Sequence, residues 1–146
     1  NHPGGCVAYR FREPKIDGSC STFVFSTDFE PDENGYDERL MRFWQGADVV
    51  MADAQYEPLD APDEFQRLNK FMPGWGHSDY QRDLIIATQA GVGRLLLTHH
   101  EPKLGDSYHD GLEERARREA EKQADLLQKT KPVDVCLARQ GMRIQL

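Results

Sequence analysis

The chain has 146 residues, the length of one compact domain, and its 38% apolar and 29% charged residues suit a buried core inside a solvated exterior. With 25 acidic against 18 basic residues the formal net charge is −7, which excludes a general phosphate-backbone coat and argues against an extensive nucleic-acid surface. The longest apolar runs, at 49–52 and 84–87, are about four residues against the roughly 20 that span a bilayer, so no membrane partner is expected.

Alternation over 6–12 predicts a half-buried strand, 14–18 a turn, and 22–26 the hairpin partner. The run 31–35 (PDENG) is polar and turn-rich. Asp37 then caps a short helix with Leu40, Met41, Phe43 and Trp44 on one face, ended by Gly46. Residues 47–54 predict a mostly buried strand. From 55 to 75 the pattern is irregular, with Pro58, Pro62 and Pro73, and a connection this long is more often functional than filler, which makes it a lid candidate. Ser78 is expected to cap a helix that runs to about Gln89, burying Leu84, Ile85, Ala87 and Thr88. Gly91 stops it before a strand at 94–98. The longest helix is expected over 106–129, its Glu/Arg run from Glu113 to Lys122 forming a solvated face, with short strands at 133–138 and 142–146 closing the chain. Strands alternating with helices predict an α/β layered sheet in a single domain. Cys6, Cys20 and Cys136 are odd in number and show no CxxC, so a disulfide scaffold is not expected, small half-buried thiols are, and a reducing cytoplasmic setting follows.

Histidines stand at His2, His77, His99, His100 and His109, the first four at expected element ends, and Asp28 and Asp53 also close strands. In open α/β sheets ligands sit beyond the carboxyl ends of strands, so this placement could gather imidazoles and carboxylates around one site suited to zinc, manganese or iron. The compact signatures HxH, HExxH and CxxC are missing. Bland alternatives stand beside this: Asp53 as a cap or backbone acceptor, His109 as a helix-surface residue, and Tyr56 and Trp75 as loop packing.

Five ordered segments carry a resemblance: NHPGGCVAYR at 1–10, FSTD at 25–28, GADVVMADAQY at 46–56, GWGHS at 74–78 and LTHHEP at 97–102. Together they resemble the carboxyl-terminal half of a metallo-β-lactamase-fold hydrolase, in the branch that includes ribonuclease Z-like and phosphodiesterase-like enzymes. The resemblance implies an α/β fold, half of an αββα sandwich with a mixed sheet and flanking helices. Residues 1–146 would then be the carboxyl-terminal portion of one domain whose amino-terminal half is absent. It implies His2 and His99 as metal ligands and Asp28 as the carboxylate bridging two divalent ions, zinc first, with manganese or iron as alternatives. It implies His77 as a proton donor to the leaving oxygen or a phosphate contact. His100, with Glu101 and Asp106 nearby, would orient His99 or touch substrate, and Asp53 would stand in the same outer shell. Phosphodiester or other ester hydrolysis by metal-bound hydroxide is the implied activity, with a small-molecule or phosphodiester substrate and with GWGHS and HHEP disfavouring a β-lactam. The diagnostic His-x-His-x-Asp-His motif does not occur here, so the chain alone is expected to be inactive and to pair through an apolar face with the missing half or with another copy. A non-catalytic binding or regulatory module that keeps the fold is the alternative.

Overall fold

A computed structural model of the chain describes residues 2–32 and 36–146. Of the turn expected over 31–35, residues 33–35 lie outside the described residues, as does Asn1 of the opening segment. The elements in order are β1 (Tyr9–Pro14), β2 (Cys20–Ser26), α1 (Glu38–Trp44), β3 (Val49–Asp53), α2 (Asp63–Leu68), α3 (Tyr80–Ala90), β4 (Arg94–Thr98), α4 (Asp106–Leu126) and β5 (Asp134–Leu137).

The strands form one five-stranded sheet in the order β1-β2-β3-β4-β5. The β1–β2 hairpin is antiparallel and every later pairing is parallel, each crossover carrying a helix. The register places Arg10, Val24, Val50, Leu95 and Val135 in one row across the sheet, and Tyr9, Phe25, Met51, Leu96 and Cys136 in the row on the opposite face. The first face is the core: Val24, Val50, Ala52, Leu95, Leu97, Val135 and Leu137 pack with Trp44 of α1, Leu84, Ile86 and Ala87 of α3, and Leu112, Ala116 and Ala120 of α4. The alanines at i, i+4 and i+8 of α4 let that otherwise charged helix approach the sheet closely. Arg10 joins this layer from β1, its guanidinium donating to the carbonyls of Phe43 (2.7 Å) and Gln45 (3.1 Å) at the open end of α1.

Several expectations need correction. The cap of α3 is Asp79, whose carboxylate accepts from the backbone of Gln81 and Arg82. The hydroxyl of Ser78 turns inward instead and donates to Asp83 Oδ1 at 2.6 Å. Ile86 rather than Ile85 is the fully buried isoleucine of that helix. The region 55–75 contains the short helix α2, and it is fastened down. Glu57 is fully buried and accepts from Tyr108 (2.5 Å) and Arg115 (2.5 Å) of α4, while the Arg82 guanidinium lies 3.8 Å over the Phe71 ring. The strand expected at 142–146 does not form, because no ladder among the described residues reaches that segment; Gln145 and Leu146 lie instead beside Val49 and Arg94.

Candidate metal centre

Three neighbouring parallel strands end at the same edge of the sheet, and each delivers one acidic or imidazole side chain there: Asp28 just after β2, Asp53 as the last residue of β3, His99 just after β4. Asp28 and His99 both sit at φ 58°, in the left-handed region that non-glycine residues rarely occupy, so each strand end is bent to turn its side chain into the site. His77 arrives from the fastened loop. One ligand atom each from Asp28, Asp53, His77 and His99 lies within 4.8 Å of the other three.

Asp53 organises the group. It is fully buried, and its Oδ2 lies 2.8 Å from His77 Nδ1, 3.0 Å from His99 Nδ1 and 3.0 Å from the Asp28 backbone N–H, which donates to it. Its other oxygen accepts from the Gln55 backbone at 3.1 Å. A carboxylate in this position takes the Nδ1–H of each ring, which leaves both Nε2 atoms with a free lone pair when the rings are neutral. His99 Nε2 stands 3.8 Å from Asp28 Oδ1. The Asp53 hydrogen bond, first among the causes, raises the His99 imidazole above its ordinary range against the opposing effect of burial.

An imidazole nitrogen and a carboxylate facing each other, with a second carboxylate fixing the ring from behind, fit part of the ligand set of a divalent first-row ion. Asp28 and His99 are the pair whose free atoms face each other.

The remaining expected site residues divide into two groups. His2 borders the cluster: its ring centroid is 5.8 Å from that of His77, and its Nδ1 accepts from the Gly4 backbone at 3.2 Å, but it is not one of the four converging residues. His100 does not orient His99. Its Nε2 and Nδ1 lie 3.1 Å from the Leu97 carbonyl and 3.4 Å from the Ala54 carbonyl, and burial lowers its pKa. The orienting role expected of it belongs to Asp53. His100 and Asp106 instead line a cavity of about 300 Å³ with His109 and Arg139, on the far side of β4. In the sequence Asp53 reads only as an outer-shell or backbone-binding residue; its oxygens accept from the Asp28 and Gln55 backbone and one of them meets both imidazoles.

No family model matches this chain. A ribonuclease Z from Thermoplasma acidophilum is 30% identical to it over 125 residues, which take in 79% of this chain and 34% of that protein. The metallo-β-lactamase fold protein YhfI from Bacillus subtilis is similar over 97% of this chain and 44% of its own, with 26% identity and a TM-score of 0.56. A diphosphatase from the PhnP family covers 95% of this chain and 44% of its own with a TM-score of 0.53, and at 17% identity it speaks for the fold alone. The chain therefore carries the metallo-β-lactamase fold, over a stretch that spans about a third of the curated relative and under half of either solved structure.

Proposed function

We propose that the protein containing this chain is a metal-dependent hydrolase that cleaves a phosphodiester or a related ester, with this chain supplying the carboxyl-terminal part of its site. The observation that carries the reading is the convergence of Asp28, Asp53, His77 and His99 within 4.8 Å at the ends of three parallel strands. The similarity to a ribonuclease Z supports ester chemistry at phosphorus.

Asp28 and His99 would hold a divalent ion, zinc first among the candidates, and His2 would join through the rest of the domain. Such an ion, when bound, supplies Lewis acidity at the reacting oxygens. The chain's own residues supply the rest. Asp53 holds the His99 and His77 rings in one orientation through their Nδ1 atoms. With Nδ1 held by Asp53, the Nε2 side of His77 is the one left to serve as proton donor to the departing oxygen. The side chain of His77 is only 13% exposed, so the proton is delivered within a partly closed site.

The test uses the protein that contains this chain, with two phosphodiesters: one losing p-nitrophenolate, which departs without a proton, and one losing an alkoxide, which needs one. His77→Ala should lower kcat about 10²–10⁴-fold for the alkoxide ester and far less for the p-nitrophenyl ester. Elemental analysis should find bound metal in the wild type and in this variant alike. Absence of metal and of turnover in the wild type would overturn the hydrolase reading, and bound metal without turnover on either ester would favour a binding module.

A further inference from the structure

The loop that brings His77 to Asp53 is tied to a distant part of the chain. Glu30, two residues beyond Asp28, makes that tie. The carboxylate of Glu30 accepts from the Gly74 backbone N–H at 2.9 Å and 2.8 Å through its two oxygens, and from the Gly76 N–H at 3.0 Å. Both glycines are left-handed, Gly74 at φ 82° and Gly76 at φ 88°, so the strap Gly74–Trp75–Gly76 adopts a conformation that presents two N–H groups to one carboxylate. The anchor at the other end is firm: Phe29, between Asp28 and Glu30, is buried against Trp44, ring edge to ring face at 5.8 Å.

The strap touches the site on two sides. Gly76 lies directly under His2, where an added Cβ would overlap the His2 ring and stand 2.8 Å from its Cα. The next residue is His77. One carboxylate thus ties the Asp28 loop to the backbone that backs His2 and delivers His77.

Building on the proposed hydrolase reading, we infer that Glu30 is a positioning residue for proton delivery by His77. Its carboxylate holds the strap backbone, and it acts on the site through that backbone. It fixes the distance between the Asp28 side of the site and the imidazole that serves the leaving group. Displacing a proton donor by about 1 Å costs on the order of a hundredfold in a step that depends on it, and nothing in a step that does not.

The experiment compares wild type, Glu30→Ala and Glu30→Gln in the protein that contains this chain, with the same two phosphodiesters and with amide hydrogen exchange at Gly74 and Gly76. In Glu30→Ala both amides should exchange at least about tenfold faster. Its kcat should fall about 10–100-fold for the alkoxide ester and stay within about threefold for the p-nitrophenyl ester, with bound metal unchanged. Glu30→Gln keeps the shape and one acceptor oxygen, and should fall between, so the inference stays testable should the alanine variant fold poorly. Equal losses on both esters indicate a merely structural role and overturn the inference, as does exchange at Gly74 and Gly76 that matches wild type in both variants. A wild type that cleaves neither ester overturns the hydrolase reading and this inference with it; a wild type that cleaves both, with variants that do the same, overturns this inference alone.

Discussion

Asp53 has no contact with solvent, yet three donors converge on one of its oxygens: the Asp28 N–H and the Nδ1 atoms of His77 and His99. A side chain amide there cannot serve them all. If Asp53→Asn keeps its oxygen toward the rings, its NH₂ meets the Gln55 N–H, which donates to the other carboxylate oxygen at 3.1 Å. If it flips, the rings lose their acceptor. Metal affinity should therefore weaken about 10–100-fold, with a further loss in kcat from the misplaced His77, both read by metal titration and steady-state kinetics. A variant that binds and turns over like wild type would remove Asp53 from the centre of the site. At this scale the sequence was informative about residue types and blind to geometry. Histidine and aspartate at strand ends announced a site, and Asp28, His77 and His99 meet there. That His100 would face two backbone carbonyls while its neighbour faces Asp53 depends on the left-handed twist at His99, which no local pattern records.

Among the elements, α3 carries an unusual load in its first turn. Asp79 and Asp83 are both fully buried, with Asp79 paired to Arg82 Nε at 3.1 Å and Asp83 accepting from Ser78. Burial, the largest cause, pushes the Asp79 carboxyl up to about 6 despite the nearby Arg82 guanidinium. Burial likewise carries Asp83 well above the ordinary carboxylate range, against the Ser78 hydrogen bond, with the charges of Asp79 and Asp53 adding to the rise. The folded state therefore holds these protons more tightly than the unfolded chain, whose value lies near 3.8. That contribution to stability is complete below about pH 4 and is lost as pH rises through the folded values, so the unfolding free energy should decline across about pH 4 to 6 and beyond. Asparagine mimics the protonated acid and still accepts from Ser78. The stability of Asp83→Asn relative to wild type should rise from pH 4.5 to pH 7.5, measured by urea unfolding at both values. An equal difference at the two pH values would count against a buried protonated acid. The two adjacent cap formers explain why the sequence alone favoured Ser78: serine and aspartate cap equally well, and the choice is made by the bridge that pairs Asp79 with Tyr56. The unformed strand at 142–146 has a related cause. Alternation reports which side chains seek cover, whereas a strand also requires a partner edge alongside it.

At the scale of the whole molecule, among the described residues, the core helices α1, α3 and α4 pack on one face of the sheet. The other face carries the row Tyr9, Phe25, Met51, Leu96 and Cys136 and, beside it, Phe11, Phe23 and Val49. Val49 and Leu96 are buried on this face, but toward the hairpin edge the cover runs out: Tyr9 is 52% exposed, Phe11 is 55% exposed, and their rings stack at 6.1 Å, with Phe11 also stacked on the half-buried Phe23 at 6.1 Å. The chain spans 44% of the length of its structural relatives, so the proposed occupant of this face is the rest of the domain, with a second copy of the chain as the substitute when the rest is missing. Burying an aromatic pair of this size yields a few kcal/mol at roughly 25 cal/mol per Å², and association entropy consumes much of that, so self-association of the 146-residue chain should be weak, with Kd on the order of 10 µM to 1 mM. Sedimentation velocity over that range should show a coefficient that climbs with concentration for the isolated chain and stays flat for the double variant Tyr9→Lys, Phe11→Glu. The two changes lie on the hairpin's outer strand, away from Asp28, Asp53, His77 and His99, so the variant's metal binding should be unaltered. In a protein that also carries the proposed remainder of the domain, the same double change should destabilise the fold rather than disperse copies, because there the proposal makes this face interior. An isolated chain that sediments as a monomer throughout would mean that this aromatic face tolerates water, and the reading of it as half of a sandwich would fall.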